Sequence, residues 1–415
     1  MMDASVTLTI HRAANEIGGN CVEISTSNGG RIILDIGRPL DAPSDAKDLL
    51  AGTLDRNQFA HVLISHPHQD HFGLLDEVPP EWPVHCGSAT ADLIALNGRI
   101  TGKNSQRKYN TWRNGEAVSM GEFIVTPYLT DHSAFDAHML LVEVCGKRIL
   151  YSGDFRIHGR KEKLVRQLVE SPPPGIDVLI MEGTNLGSDK PTMSENDLED
   201  DFTRLFSETK GRVFVAWSAQ NIDRTVTLYR AAKKSGRTLA VDLYTAEVLE
   251  TLGAYGRIPQ PDWDGIKVMV TSRLAQMYRK TGREHLVERY ARNGIAARGL
   301  NETPSRWVCM FRASLVADLE RNDVIPTSDD VWSWSMWKGY LTEDDGRQAF
   351  NWFTSGGARS AHIHTSGHAS PTDLREFANA MRPRCIVPVH GIAWDAEQSG
   401  FPPITRLMDG ESMVI

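Results

Sequence analysis

The sequence predicts an α/β protein built of alternating strands and helices, and three observations indicate this class. Short apolar runs recur along the chain, and each is followed at once by polar residues and often by a helical pattern. The 415 residues exceed one ordinary domain and predict two or three modules. Histidines are frequent in the outer parts of the chain, whereas only His285 occurs between residues 159 and 361, which indicates a separate middle module.

Composition narrows the class of protein further. Hydrophobic residues make up 41% and charged residues 24%, as in ordinary globular proteins rather than disordered or fibrous ones. No apolar run approaches the ~18 residues of a membrane span, and the N-terminal segment lacks the pattern of a secretory signal, so we expect no membrane partner. The five scattered cysteines contain no C-x-x-C pair, which argues against a cysteine zinc site and predicts a cytoplasmic location. The net charge of −8 argues against a protein that coats nucleic acid through charge alone.

The strands predicted along the chain place polar residues at their carboxyl ends. In chain order these are HVLIS before His66, RILYS before Asp154, DVLIM before Glu182, RVFVAW before Ser218, TLAVD before Tyr244, AHIHT before Ser366 and CIVPV before His390. A helix is predicted for PTDLREFANAM, which follows the AHIHT run. In α/β proteins ligands bind at the carboxyl ends of strands, so these polar residues fall where chemistry is expected.

A domain boundary is predicted near residue 190, where the polar stretch DKPTMSEND contains a proline. We expect residues 1–190 to form the first part of one domain, residues 191–350 to form an inserted domain, and residues 351–415 to return to the first. Because the two outer segments carry nearly all the histidines, they are expected to build one site together.

The most specific motif is His66-x-His68-x-Asp70-His71, directly after a predicted strand. In an extended segment residues i and i+2 point the same way, so His66 and His68 can meet one ion. Asp70 and His71 begin the next turn, which directs them toward a second ion. Imidazole and carboxylate ligands together favour zinc, with manganese or iron as alternatives. By chance the pattern is expected in only ~1 of 1000 such chains.

Two further residues at strand ends extend this set. His132 follows the predicted strand FIVTPYL, and Asp154 follows RILYS at a glycine turn. Either residue alone is more often structural. Together with the motif, their order and placement predict a centre for two divalent ions.

In this order, Asp35, the histidine motif, His132 and Asp154 resemble the metallo-β-lactamase fold, an αββα sandwich with a dinuclear metal cleft. The later segments narrow the resemblance, since they look like motifs A, B and C of the β-CASP nucleases. These segments are Met181-Glu182-Gly183-Thr184, Thr365-Ser366-Gly367-His368-Ala369 and Pro388-Val389-His390-Gly391.

Within that family the resemblance is nearest to ribonuclease J, in which an α/β β-CASP domain is inserted into the metallo-β-lactamase fold. The stretch from Ser218 to Arg224 is similar to a segment of that insert. Two departures stand out. The sequence ends at Ile415 without a counterpart of the further C-terminal domain of ribonuclease J, and the arginine–serine phosphate-binding segment is matched only loosely by Phe311-Arg312-Ala313-Ser314.

The resemblance implies a division of the metal ligands. The first ion is assigned to His66, His68 and His132, the second to Asp70, His71 and His390, and the bridging role to Asp154. Two such ions can share a hydroxide and polarise a phosphoryl oxygen. The net positive charge of such a centre would attract an anionic diester.

Three residues are expected to act around the ions. His368 is expected to contact the scissile phosphate or to protonate the leaving oxygen. Glu182 is expected to orient His368, and Asp35 to hold His71 or a nearby backbone amide. The alternative for His368 and Glu182 is a structural role, and His364 is a second candidate for the role of His368.

Substrate contacts are predicted at two places. The Ser366-Gly367-His368 turn precedes a helix, and its backbone N–H groups with the helix N-terminus suit a phosphate. The remaining substrate-binding candidates are Ser218, Asn221, Arg224, Arg312 and Ser314. Helix capping and surface pairing are the alternatives for Asn221 and Arg224.

The predicted function is a metal-dependent ribonuclease that hydrolyses RNA phosphodiester bonds, endonucleolytically, 5'-exonucleolytically or both. In the β-CASP family a histidine at the position of His390 accompanies RNA-directed members, so this residue favours RNA over DNA. The alternatives are a DNA-directed nuclease of the same family, a small-molecule hydrolase of the metallo-β-lactamase fold, and a non-catalytic binding subunit. A homodimer is compatible with these patterns.

Overall fold

The computed structural model describes residues 4–43, 45–101 and 107–415. Its strands are β1 Val6–Arg12, β2 Cys21–Thr26, β3 Arg31–Leu34, β4 His61–Leu63, β5 Val84–Gly87, β6 Tyr109–Trp112, β7 Val118–Met120, β8 Phe123–Leu129, β9 His138–Val144, β10 Lys147–Tyr151, β11 Val178–Met181, β12 Val213–Ala216, β13 Thr238–Asp242, β14 Ile266–Val270, β15 Ile295–Ala296, β16 Trp307–Phe311, β17 Val331–Trp334, β18 Arg359–Ala361, β19 Cys385–Pro388 and β20 Ser412–Val414.

Its α-helices are α1 Gln69–Phe72, α2 Ser88–Thr101, α3 Glu162–Glu170, α4 Glu195–Glu208, α5 Ile222–Lys234, α6 Leu243–Leu252, α7 Ser272–Lys280, α8 Glu284–Arg292, α9 Val316–Glu320, α10 Asp344–Ser355 and α11 Pro371–Met381. Short 3₁₀ helices lie at Leu75–Glu77, Ala297–Asn301, Pro304–Arg306, Ala313–Leu315 and Lys338–Thr342. Within the described ranges, the model contains no helix with the length and apolar character that crossing a bilayer requires.

The chain divides into two compact units. The first unit falls within residues 1–95, 104–191 and 367–415, and the second within residues 96–103 and 192–366. The second unit thus extends beyond the boundary expected at residue 350, because β18 pairs with β17 in the sheet of that unit.

Two mixed sheets form the centre of the first unit. Their strand orders are β20-β1-β2-β3-β4-β5-β6 and β19-β11-β10-β9-β8-β7. One apolar cluster joins their inner faces, with Leu8 and Ile24 from the first sheet and Leu140 and Ile149 from the second. Strands β1, β2, β9 and β10 each direct one row of side chains into that cluster, and removing this apolar area from water stabilises the pair of sheets.

Helices cover the outer faces of both sheets. Val165 of α3 and Phe377 of α11 pack with Leu179 on the second sheet. Ile94 of α2 packs with Val62 on the first. The resulting order of layers is helix, sheet, sheet, helix, so the αββα sandwich expected from the sequence is confirmed.

Strand direction brings distant parts of the first unit to one edge. β10 pairs in parallel with β11, and β11 pairs in parallel with β19. The carboxyl ends of parallel neighbours lie side by side, so the residues that follow these three strands share an edge. These residues include Asp154, Glu182 and His390. In the other sheet, β3 and β4 are parallel as well, and they lead into Asp35 and His66.

The second unit contains one sheet with the strand order β15-β14-β13-β16-β12-β17-β18, and every neighbouring pair is parallel. Its apolar cluster includes Phe214, Phe311, Trp332 and Phe353. Strands β12 and β13 lead directly into helices α5 and α6, which matches the alternation predicted from the sequence.

One predicted strand is wrong over most of its length. The run AHIHT was expected to be a strand, but β18 covers Arg359–Ala361 and ends where that run begins. In the register of this pair Ala361 lies opposite Ser333, and β17 ends one residue later at Trp334. The partner strand therefore ends too early to hold the rest of the run in a ladder.

Candidate metal centre

The histidine motif begins three residues after the end of β4 and is divided by a change in backbone direction. His66 and His68 lie before the short helix α1, and their ring centroids are 4.8 Å apart. His68 is the N-cap of α1 and has extended backbone angles. Asp70 and His71 lie inside α1, so their side chains leave from a helical turn rather than from the extended segment, and the His71 ring centroid lies 3.9 Å from that of His66. The motif therefore supplies ligand atoms to two places.

His66, His68 and His132 form the first group. One ring nitrogen of each residue lies within 4.8 Å of the others. His132 Nδ1 donates a hydrogen bond to the carbonyl oxygen of Gly367 at 2.6 Å, which leaves Nε2 for the group. A carbonyl on the outer nitrogen of an imidazole fixes its orientation as a metal ligand.

Asp70, His71, Asp154 and His390 form the second group, again with ligand atoms within 4.8 Å of one another. The Asp154 Oδ2 atom lies 3.1 Å from His71 Nε2 and 3.6 Å from His66 Nε2. Asp154 thus stands between the two groups, where a bridging carboxylate would stand.

Asp35 lies behind the second group and is fully buried. Its Oδ2 atom accepts hydrogen bonds from His71 Nδ1 and Ser65 Oγ, both at 2.7 Å, and its Oδ1 atom accepts one from the Ser65 backbone N–H at 2.7 Å. Asp35 therefore holds both His71 and a backbone amide. It adopts a positive φ of 61°, which aspartate tolerates better than most residues.

Four ligand atoms in these groups are buried and have no hydrogen-bond partner among the described residues. They are His66 Nε2, His71 Nε2, His390 Nε2 and Asp154 Oδ1. Buried polar atoms are normally paired, so four such atoms in one place need an explanation. Imidazole nitrogens and carboxylate oxygens are ligands for divalent zinc. The residues present therefore fit a divalent metal site.

Burial keeps most of these imidazoles in the neutral form that binds metal. It lowers the pKa of His68 to about 4, and it lowers the pKa values of His66, His132 and His390. A neutral imidazole offers a lone pair to a cation without first losing a proton.

His71 and Asp154 show the opposite balance. Burial lowers the pKa of His71, but the carboxylates of Asp154 and Asp35 raise it by more. Burial raises the pKa of Asp154, whereas His390 and His71 lower it well below its ordinary value. Asp154 is therefore an anion facing a cluster of imidazoles, an arrangement that a cation can occupy in place of a proton.

His368 and Glu182 form a pair beside Asp154. His368 Nδ1 lies 3.1 Å from Glu182 Oε1 and 3.0 Å from Oε2, and 3.8 Å from Asp154 Oδ2. Burial lowers the pKa of His368, but Glu182 and Asp154 raise it by more, to about 9. Glu182 is held in turn by the backbone N–H groups of Phe155 and Thr184.

The predicted phosphate cradle is the Ser366-Gly367-His368 turn before α11. Gly367 approaches so closely that a Cβ there would lie 2.6 Å from Ser133 Oγ. The helix N-terminus is closed by a capping box between Ser370 and Asp373. The Ala369 N–H donates to the Phe155 carbonyl. The Phe155 carbonyl and the helix cap thus engage the N–H groups of Ala369, Ser370 and Asp373, which follow the predicted turn.

The candidates in the second unit divide into buried and accessible residues. Arg224 is fully buried, with its guanidinium 3.1 Å from Glu195 Oε1. The structure differs here from the predicted phosphate contact, because an acidic partner inside the unit already takes this charge. Asn221 caps α5 by accepting from the Arg224 N–H. Ser218 is exposed at the end of β12.

Arg312 is the accessible cation among these candidates, with 31% of its side chain exposed. Its Nε donates to Asp242 Oδ2 at 2.7 Å, while the Nη2 atom is buried and has no hydrogen-bond partner among the described residues. Ser314 lies two residues further on and is half-buried. His364 also belongs to the second unit and to none of the described ligand groups, whereas His368 belongs to the first unit.

Sequence reasoning missed three residues that contact either a proposed ligand or the side chain that supports one. Ser65 bonds Asp35, Tyr151 donates to Asp35 Oδ2 at 2.7 Å, and Asn20 accepts from His390 Nδ1 at 2.7 Å. Tyr151 is the last residue of β10, so the strand-end rule could have found it. Its apolar neighbours make it resemble an ordinary core aromatic instead.

Two family models match the chain. The metallo-beta-lactamase superfamily matches residues 14–188, and the Zn-dependent metallo-hydrolase RNA specificity domain matches residues 358–393. All seven residues proposed as ligands lie in these two segments.

Curated relatives are named Ribonuclease J. The protein of Helicobacter pylori (strain ATCC 700392 / 26695) is 24% identical over 417 residues, covering 94% of this chain and 56% of the relative. That of Sinorhizobium meliloti (strain Sm2011 / Rm2011 / 2011) is 22% identical, covering 86% and 63%. That of Mycobacterium tuberculosis (strain CDC 1551 / Oshkosh) is 26% identical, covering 80% and 58%. The chain thus spans little more than half the length of these relatives.

A solved structure has the same fold. It is a crystal structure of a protein of unknown function from Enterococcus faecalis V583, with a TM-score of 0.79, 20% identity, and coverage of 99% of this chain and 100% of that one. The chain therefore contains a domain of the metallo-beta-lactamase superfamily together with a metallo-hydrolase RNA specificity domain.

Proposed function

We propose that this protein is a metal-dependent ribonuclease that hydrolyses RNA phosphodiester bonds at the two ligand groups of the first unit. The observation that carries the proposal is the pair of neighbouring groups, in which Asp154 of the second group lies 3.6 Å from His66 Nε2 of the first, together with four buried ligand atoms that have no hydrogen-bond partner among the described residues. In a cluster of histidines with only a structural role, these atoms would form hydrogen bonds.

Two divalent ions are proposed, with zinc expected and manganese as the alternative. His66, His68 and His132 would hold one ion, and Asp70, His71 and His390 the other, with Asp154 between them. When bound, such ions polarise a phosphoryl oxygen and lower the pKa of water. Asp35 holds His71 in place, and the Gly367 carbonyl holds His132.

His368 is proposed to supply the proton for the leaving oxygen. Glu182 accepts from its Nδ1 and keeps the ring oriented, so that Nε2 is the atom able to deliver a proton. The Glu182 carboxylate also favours the protonated imidazole, which is the form a general acid needs.

RNA is proposed as the substrate, cleaved internally, from the 5' end, or both. The match to an RNA specificity domain in residues 358–393 and the relatives named Ribonuclease J support RNA rather than DNA. We further propose that the second unit is the β-CASP insert. Ser218, Arg312 and Ser314, at the carboxyl ends of β12 and β16, are its proposed phosphate contacts.

The compartment and assembly complete the proposal. The five cysteines are all free thiols, which supports a reducing compartment such as the cytoplasm. A homodimer is proposed as the assembly to test, by measuring the mass of the protein in solution.

Labelled RNA, labelled DNA of the same sequence and a thioester would test the function, each incubated with the protein with and without a chelator. We expect chelator-sensitive cleavage of RNA. The His68→Ala variant, purified in the same way, is the matched negative control, because it lacks one proposed metal ligand. Cleavage of DNA alone, or turnover of the thioester alone, would contradict the proposal.

A further inference from the structure

A chain of hydrogen bonds joins the two histidines of the second group behind their ligand atoms. Asp35 Oδ2 accepts from His71 Nδ1 and from the Tyr151 hydroxyl, each at 2.7 Å. The Tyr151 oxygen accepts from Asn20 Nδ2 at 2.9 Å, and Asn20 Oδ1 accepts from His390 Nδ1 at 2.7 Å. All five side chains are buried.

The Tyr151 hydroxyl decides the direction of this chain. It has one proton, which can go to Asp35 or to Asn20. The bond to a carboxylate is the stronger of the two because it is charge-assisted. Reversal would also leave the phenol oxygen 2.7 Å from the Asp35 oxygen with no hydrogen between them. The hydroxyl therefore donates to Asp35, and its oxygen accepts from Asn20.

The direction of the chain fixes which nitrogen of His390 carries the proton. With the Asn20 amide nitrogen committed to Tyr151, Asn20 presents Oδ1 to His390, so Nδ1 is protonated and Nε2 keeps its lone pair. In the reversed chain the amide nitrogen would face His390 Nδ1. The proton would then sit on Nε2, which has no hydrogen-bond partner among the described residues. The Gly18 N–H is also directed at Nδ1, at 3.3 Å, but the contact with Asn20 Oδ1 is shorter, at 2.7 Å, and places the proton on Nδ1.

We propose that Tyr151 is a positioning residue that acts through Asn20 to hold His390 in the tautomer able to bind the second ion. The inference rests on the proposed function, because it takes the second group as a metal site. Its new element is that a phenol hydroxyl outside both ligand groups sets the affinity of one of the two ions.

Zinc titration of the full chain tests this inference. Tyr151→Phe removes the hydroxyl and keeps the ring, so the affinity for the second ion should fall by roughly 10–100-fold, the usual cost of losing a partner behind a ligand. The first ion should bind as in the wild type. Tyr278→Phe is the matched control, because Tyr278 is equally buried and donates to Glu247 at 2.5 Å in the second unit. It should leave both zinc affinities unchanged.

The Asn20→Asp background separates orientation from packing. A carboxylate at this position can only accept, so it holds the His390 proton on Nδ1 whatever Tyr151 does. Tyr151→Phe should therefore have little effect on zinc affinity in that background, a non-additive result in a double-mutant cycle. If the wild type binds fewer than two ions, the proposed function fails. If it binds two and Tyr151→Phe is silent, or is equally harmful in both backgrounds, this inference alone is overturned.

Discussion

The carboxyl ends of the strands in the two units carry similar residues in different states. In the first unit Asp154 and His390 follow parallel strands, and each has a buried ligand atom without a hydrogen-bond partner among the described residues. In the second unit Asp242 caps α6 and pairs with Arg312, and Arg224 pairs with Glu195. A polar residue at a strand end is therefore a weak indication of a site by itself. The stronger indication is a cluster of buried ligand atoms that have no hydrogen-bond partner among the described residues.

The difference has an energetic meaning. A buried polar atom without a partner costs roughly 1–3 kcal/mol. Four such atoms in one cluster are a large cost for a domain of ordinary stability. A bound cation would offset that cost, whereas the paired residues of the second unit need none.

The largest expected effect comes from removing a ligand of the first group. His68→Ala should reduce RNA cleavage to background and lower the zinc content, with little change in the urea midpoint of the chelated protein, because His68 lies before α1 and outside the strands. Elemental analysis and a cleavage assay measure both effects. His285→Ala, at an exposed histidine of the second unit, should behave as the wild type. Full activity of His68→Ala would show that this group is not the metal site.

The next largest effect is expected at His368. His368→Ala should lower kcat by ~10²–10⁴-fold, the usual contribution of a general acid, while the protein keeps its zinc and its RNA affinity. Glu182→Gln should lower kcat less, since it leaves the imidazole in place. Loss of zinc from His368→Ala would instead make His368 a ligand and would remove the proposed division of roles.

Arg224 tests the second unit, where the polar residues at strand ends are paired. Arg224→Met leaves Glu195 buried without its partner, so the free energy of unfolding should fall by about 3–5 kcal/mol. Urea unfolding measures this change. The double variant Arg224→Met/Glu195→Leu should recover most of it, because no unpaired charge remains. Unchanged stability of the single variant, with weakened RNA binding, would return Arg224 to the substrate site.

Glu23 is a paired carboxylate within the first unit and should affect stability without affecting cleavage. Burial raises its pKa, but hydrogen bonds from His11 and Arg31 lower it by more, from 4.5 to about 2. A carboxylate with a lowered folded-state pKa stabilises the fold above its unfolded pKa and loses that contribution as pH falls. The stability difference between the wild type and Glu23→Gln should therefore be constant above about pH 5 and shrink between pH 4.5 and 2. A difference that persists at low pH would contradict this pairing.

The smallest effect is expected at Arg312. Arg312→Ala should weaken RNA binding and reduce the slope of log affinity against log salt by about 0.7, as for one lost contact with single-stranded nucleic acid. Arg230→Ala is the control, since Arg230 is a surface residue of the same unit that pairs with Glu199. An identical salt slope in both variants would exclude Arg312 as a phosphate contact.

Local pattern carried the predictions that succeeded. The helix expected at PTDLREFANAM is α11, and the split of the histidine motif follows from the extended backbone before α1 and the helical turn within it. These features depend on residues that are close in the sequence.

The residues that sequence reasoning missed or misplaced are those whose partners lie far away in the chain. The partner of Tyr151 at Asp35 lies 116 residues away, and nothing in the apolar run RILY distinguishes that hydroxyl from a core aromatic. Arg224 has the same local sequence whether it reaches solvent or Glu195, 29 residues away. Tertiary contacts decide which polar groups form hydrogen bonds or ion pairs within the protein. They therefore also decide which strand ends can form a site.

Anomalous scattering from a crystal grown with zinc would locate the bound ions. We expect two peaks per chain, one among His66, His68 and His132 and one among Asp70, His71 and His390, with Asp154 between them. A single peak, or peaks only at surface residues, would contradict this prediction.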